Sequence, residues 1–152
     1  MQAISNTGIS KADEVGSKPS LAGIIKLISD ERTLLIFRTV CLASGETGEE
    51  LRAQLNLTKK QYYSRISGLT KVGLVNRRKG RHFVTTFGRL CYNAQRVLES
   101  AVRNHWRLKA VDSLLEGQNL QDMPRGEGER MVTAMVTNQE LRDIILSDRV
   151  NC

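Results

Sequence analysis

Between Glu50 and Glu99 the chain carries no aspartate and no glutamate. Nothing in that interval can neutralise its own positive charge locally, and a local positive field is what polyanions bind. Aromatic residues number only seven, one Trp, three Tyr and three Phe, so the core must be mostly aliphatic. Cys41, Cys91 and Cys152 form an odd set without a CxxC pair, which argues against a disulfide framework or a zinc ribbon and predicts reduced thiols. No apolar run approaches the ~18 residues of a membrane-spanning helix, and the first residues lack an apolar signal core. The expectation is a soluble, cytoplasmic protein. There is no phosphate-cradling glycine loop, no nucleophile elbow and no carboxylate pair within the basic interval. His82 and His105 are far apart and have no ligand-spaced Cys, Asp or Glu. The residues therefore predict neither an enzyme nor a metal site nor a cofactor.

What the acid-free interval does contain is basic. Arg52, Lys59, Lys60, Arg65, Lys71, Arg77, Arg78, Lys79, Arg81, Arg89 and Arg96 all fall inside it. The chain has 23 basic residues in 152, so the other twelve share the remaining sequence with all sixteen acids. The net charge of +7 is thus a regional property, and it favours nucleic acid or an anionic membrane as the partner.

Residues 1–19 are rich in Ser, Gly, Asn and Lys without a period, which predicts a disordered arm. Ser20 can cap a helix over LAGIIKLIS, and Asp30 a second over ERTLLIFRTVCLA; one bent helix is the alternative. Both carry an apolar stripe expected to be buried, with Cys41 as a small core residue. Ser44-Gly45 ends the run. Thr47 with Glu50, and Thr58 with Gln61, are two capping boxes broken by Asn56-Leu57, and two short capped helices so joined predict a helix-turn-helix.

On a wheel at 100° per residue, Tyr62, Ile66, Leu69 and Val72 share the core face of the second helix. Lys60, Ser64, Ser67 and Lys71 lie opposite, flanked by Tyr63 and Gly68, with Lys59 near the start. A solvated helix face would usually pair Glu with Lys at i,i+4, and this one has no acid. Small residues at Ser64, Ser67 and Gly68 would allow close approach to a groove wall. Gly73 closes the helix, and residues 74–78 and 82–86 read as strands around Lys79-Gly80-Arg81, with Phe83 packing inward. Arg77, Arg78, Lys79 and Arg81 on that hairpin repel one another unless an anion relieves them.

This order of helices, GLV strand, basic hairpin and T-x-x-G opening a long helix resembles winged helix-turn-helix regulators of the MarR, ArsR and PadR type. LTKKQYYSRISGLTKVGLVNRRKGRHFVTTFGRLCYNAQ is more narrowly similar to the small winged-helix proteins of ammonia-oxidising archaea (Thaumarchaeota), over roughly residues 20–148. The resemblance implies that the helix over 59–72 enters the DNA major groove and that the wing over 76–82 touches backbone or minor groove. By position it implicates Lys59, Lys60, Tyr63, Ser64, Ser67 and Lys71 in the groove and Arg77, Arg78, Lys79 and Arg81 on the wing. The cysteine pair of metal-sensing ArsR-type proteins is missing.

Thr85 can cap a helix running from about Phe87 to Leu115. Leu90, Ala94, Val97, Ala101, Asn104, Leu108, Val111 and Leu115 follow at 4-3-4-3-4-3-4 spacing, a heptad seam with one polar position. That seam predicts a homodimer; packing against the chain's own tail is the alternative. Residues 116–126 read as a loop, followed by short helices over about Glu127–Val136 and Asn138–Ser147, which cannot bury their apolar faces alone. The expected organisation is mainly α with a small β-hairpin wing. An arm over 1–19 is followed by a DNA-binding domain over 20–86, a dimerisation helix over 87–116 and a helical tail over 117–152, packing in cis or across a dimer. The expected function is sequence-specific binding of double-stranded DNA in transcription regulation, in the nucleoid, with no effector indicated. A nonspecific architectural or transcription-machinery interaction module is the second reading. RNA binding is the third and is weakened by the lack of an aromatic platform around Tyr63.

Overall fold

The computed structural model describes residues 18–43, 45–117, 124 and 126–150, without the side chains of Leu115, Gly117 and residues 148–150. Most of the arm over 1–19 and most of the loop over 116–126 lie outside the described residues. In chain order the elements are α1 (Leu21–Ile28), α2 (Glu31–Leu42), α3 (Gly48–Gln54), α4 (Lys59–Lys71), β1 (Val75–Arg78), β2 (Arg81–Val84), α5 (Thr86–Arg103), α6 (His105–Gly117), α7 (Glu127–Met135) and α8 (Gln139–Val150). The fold is mainly helical with one two-stranded antiparallel hairpin. It divides into two compact units after Arg89, three residues beyond the boundary the sequence suggests.

The first unit begins with two helices, not one bent helix. Ser20 accepts a hydrogen bond from the Gly23 N–H, and Asp30 accepts one from the Thr33 N–H at 2.8 Å, so each start has its own cap. Both capping boxes form in full. Thr47 and Thr58 accept from the N–H groups of Glu50 and Gln61, whose side chains accept in return from the N–H groups of the two threonines. Between α3 and α4 the chain turns at Asn56, whose φ of 50° lies in the left-handed region that asparagine tolerates. The core is Ile36, Phe37, Val40, Leu51, Leu57, Tyr62, Ile66, Leu69, Leu74 and Val75, each fully buried side chain contributing about 1.5–3 kcal/mol relative to exposure. The apolar stripes of the first two helices are only half used: Leu21, Ile25, Leu35 and Leu42 face solvent.

The hairpin is tighter than the sequence reading. Val75 pairs with Val84, Asn76 with Phe83, Arg77 with His82 and Arg78 with Arg81, leaving a two-residue loop. Lys79 and Gly80 have φ of 50° and 79°, the signature of a type I′ turn. Thr85 then anchors the next helix to the base of the hairpin. Its hydroxyl donates to the Gly73 carbonyl at 2.6 Å, and its oxygen accepts from the Gly88 N–H at 2.9 Å.

In the second unit the expected continuous helix is broken at Asn104, which separates α5 from α6. The Asn104 amide donates to the Ser100 carbonyl through both its backbone N–H and its side-chain Nδ2, so the side chain competes for the helix's own acceptor. Val111, Val132, Val136 and Leu141 form the core, with Val97, Ala101, Leu108, Met135, Ile145 and Leu146 packed around them. This corrects the heptad seam. Val97, Ala101, Leu108 and Val111 are packed within the protomer against α7 and α8, whose short apolar faces need the nearest apolar stripe. Leu90 and Ala94 are exposed, and the Leu115 side chain lies outside those described. Asn138 caps α8 and ties it to α5, accepting from the Leu141 N–H and donating to the Ser100 hydroxyl.

Candidate nucleic-acid interface

The candidate interface is built on α4, whose orientation is fixed from beneath. Tyr62, Ile66 and Leu69 are buried, and the Tyr62 hydroxyl shares a hydrogen bond with His82 Nδ1 of β2 at 3.2 Å. Arg65 donates to Asp30 at 3.0 Å, pinning the helix to the start of α2. Two hydrogen bonds from Thr33, then that from Arg65, hold the Asp30 carboxyl down at about 2. Lys59, Lys60, Tyr63, Ser64, Ser67 and Lys71 are all exposed. Tyr63 is 45% exposed and meets the buried Tyr62 ring edge-on at 5.3 Å, which gives the outward ring a fixed seat. Gly68 departs from the sequence reading. A Cβ there would stand 3.1 Å from the Leu27 side chain, so its smallness serves the packing of α1 rather than a groove wall.

The hairpin divides its cations between two faces. Directly paired residues of an antiparallel ladder project to the same side. Arg77 and His82 therefore share one face, and Arg78 and Arg81 share the other with Asn76 and Phe83. The first face looks toward α4. Tyr63, Ile66, Ser67, Thr70, Lys71, Arg77 and His82 together line a cleft of about 440 Å³. Of the four wing cations, Arg77 is the one that joins the α4 surface across this cleft. Burial, and then the Arg77 charge, lowers the His82 pKa, so the imidazole stays neutral at the cleft floor.

Arg78, Lys79, Arg81, Asn76, Phe83, Val84, Thr85, Thr86 and Arg89 line a second cleft, of about 780 Å³. Arg89 stands in the acid-free interval, but nothing in its local sequence marks it for a site; the return of the chain through Thr85 brings it beside the hairpin.

The acid-free interval is not acid-free in space. Arg52 pairs with Glu49 at 3.0 Å, Arg65 pairs with Asp30, and Lys59 and Arg81 lie within electrostatic reach of Glu49 and Glu50. The charges without such neighbours are concentrated on the outer face of α4 and on the hairpin. Among the described residues no group of three or more His, Cys, Asp or Glu could hold a metal ion, and no helix is long and apolar enough to cross a membrane. Comparison with family models, curated protein sequences and solved structures returns no match for this chain.

Proposed function

We propose that this chain is a sequence-specific, double-stranded DNA-binding transcription regulator of the winged helix-turn-helix kind, acting as a homodimer. The observation that carries this reading is the exposed, acid-free face of α4 facing Arg77 across an open cleft. A helix of this width enters a major groove, and a cation on an adjoining hairpin can then hold the flanking phosphates. Lys60, Tyr63, Ser64 and Ser67 are the candidates for base edges. Lys59, Lys71, Arg77 and the tip residue Lys79 are suited to phosphates, which set register without reading sequence. Arg78 and Arg81 add to the field from the far face of the hairpin.

The dimer rests on the apolar residues that the second unit leaves uncovered. Leu90, Leu98 and Val102 are exposed on α5 and Trp106 on α6, at 64%, 64%, 75% and 75%. In a homodimeric regulator of this kind two α4 helices meet successive major grooves, roughly 34 Å apart, on a pseudo-palindromic site. No Arg, Asn or Gln lies at the centre of the reading face, so bidentate base contacts are few and specificity is modest.

Selection from a random DNA pool, followed by a salt titration of the winner, tests the reading. With about four to five phosphate contacts per protomer, the log K against log salt slope is roughly −7 to −9 for the dimer. A slope near zero overturns DNA binding. Loss of sequence preference in excess random DNA favours the architectural role instead.

A further inference from the structure

The second cleft faces away from α4, and its chemistry differs from that of a backbone contact. Arg78 and Arg81 are a directly paired cross-strand couple of like charge, an arrangement that destabilises a hairpin and that the Glu50 carboxylate offsets only at Arg81. Lys79 and Arg89 bring two more cations to the same space, and no carboxylate among the described residues lines it. Among the described residues, Arg78, Lys79 and Arg89 have neither an ion pair nor a side-chain hydrogen bond; Arg81 donates to the Gly45 carbonyl at 2.7 Å, which holds its guanidinium in place. The hydroxyl-bearing Thr85 and Thr86 open the 18-residue helix α5 at the cleft's edge, where the first-turn dipole favours negative charge.

One feature is not explained by phosphate alone. Phe83 contributes an aromatic wall between the cations. A ligand that meets these demands has several negative charges and an aromatic ring. The volume of about 780 Å³ suits a small molecule.

We propose that this cleft is a binding site for a nucleoside polyphosphate. Arg78, Lys79, Arg81 and Arg89 take the phosphates, and Phe83 stacks on the base. The site stands independently of DNA binding, because its ligand is measured with no DNA present.

The experiment is calorimetric titration of the full chain with ATP, tripolyphosphate and adenosine in separate runs. Expected are saturable binding of ATP at one per chain, at least tenfold weaker binding of tripolyphosphate, and none detectable for adenosine. Arg89→Ala, at an exposed side chain, should weaken ATP at least tenfold. Phe83→Leu, with folding checked by its melting curve, should weaken ATP while leaving tripolyphosphate unchanged. Absence of saturable ATP binding in the millimolar range overturns the proposal, as does ATP binding that Arg89→Ala leaves intact. Tripolyphosphate matching ATP overturns the base-reading half and leaves a bare polyanion site. If ATP does not bind and Arg89→Ala instead weakens binding to the selected DNA tenfold, the cleft is a backbone contact and the proposal is wrong.

Discussion

The Tyr62 hydroxyl and His82 Nδ1 meet at 3.2 Å inside the first unit, one on α4, the helix we propose for DNA, and the other on the hairpin beside it. Both side chains are buried, so this bond is a rigid strut between the two surfaces that would have to contact one duplex together. Tyr62→Phe should cost about 1–2 kcal/mol in urea unfolding, because it leaves a buried imidazole nitrogen without its partner. It should also weaken DNA binding without removing any exposed charge. A variant with unchanged unfolding would show that the strut carries nothing.

His82 makes stability depend on pH in a definite direction. Its pKa is lowered from the ordinary 6.5, first by burial and then by Arg77, so the unfolded chain takes up a proton that the native state refuses. The histidine's contribution is therefore complete above pH 6.5 and is lost as pH falls toward its native value. Unfolding free energy measured from about pH 7 to about pH 5 should decline, and His82→Gln should flatten that decline. The carboxylates of Asp30, Glu49 and Glu50 are also lowered, but they act in a separate, more acidic window.

Gly88 is required for space rather than for conformation. A Cβ there would lie 2.1 Å from the Leu74 carbonyl oxygen and 3.1 Å from a Val84 methyl. Gly88→Ala should destabilise the first unit by about 3 kcal/mol, since backbone has to move. Gly73 offers the contrast: φ is +80° with open space around it, so Gly73→Ala costs only the left-handed strain, about 1 kcal/mol. Equal losses for the two, read by chemical denaturation, would contradict this distinction.

Lys79 occupies a left-handed turn position at φ 50°, where lysine is strained and asparagine is favoured. Lys79→Asn should raise stability by about 0.5–1 kcal/mol while lowering DNA affinity at low salt. A melting temperature that does not rise would mean the turn tolerates lysine without cost.

The two faces of the hairpin should separate in DNA binding. Arg77→Glu, on the face toward α4, should weaken binding about tenfold more than Arg78→Glu at the same salt. Equal effects measured by fluorescence anisotropy would show that the hairpin acts by net charge alone. In the second unit, Leu98→Glu with Val102→Glu should give folded monomers by light scattering, whereas Val132→Asp, at a fully buried position, should unfold the unit.

Much of the local structure was legible because it depends on neighbours in sequence. The Thr47–Glu50 and Thr58–Gln61 boxes, the Gly80 turn and the α4 core face of Tyr62, Ile66 and Leu69 follow from spacing and side-chain chemistry over a few residues. The seam through Val97, Ala101, Leu108 and Val111 was legible only as an apolar stripe. The same spacing serves a second copy or the chain's own tail, and α7 and α8 are the elements that cover it here. Asn104 was read as a polar seam position, but its side chain's competition for the Ser100 carbonyl marks the helix break.

What the amino-acid order determined by itself is where the positive charge is concentrated and which short helices and turn carry it, since capping, periodicity and turn preference are local. The tertiary structure decided how that charge is shared. Pairing with Asp30 and Glu49 withdraws Arg65 and Arg52, and the pleat of a four-residue ladder sends Arg77 to one cleft and Arg78 to another. Register and long-range ion pairs depend on groups up to 35 residues apart meeting in space, and no count along the chain contains that distance.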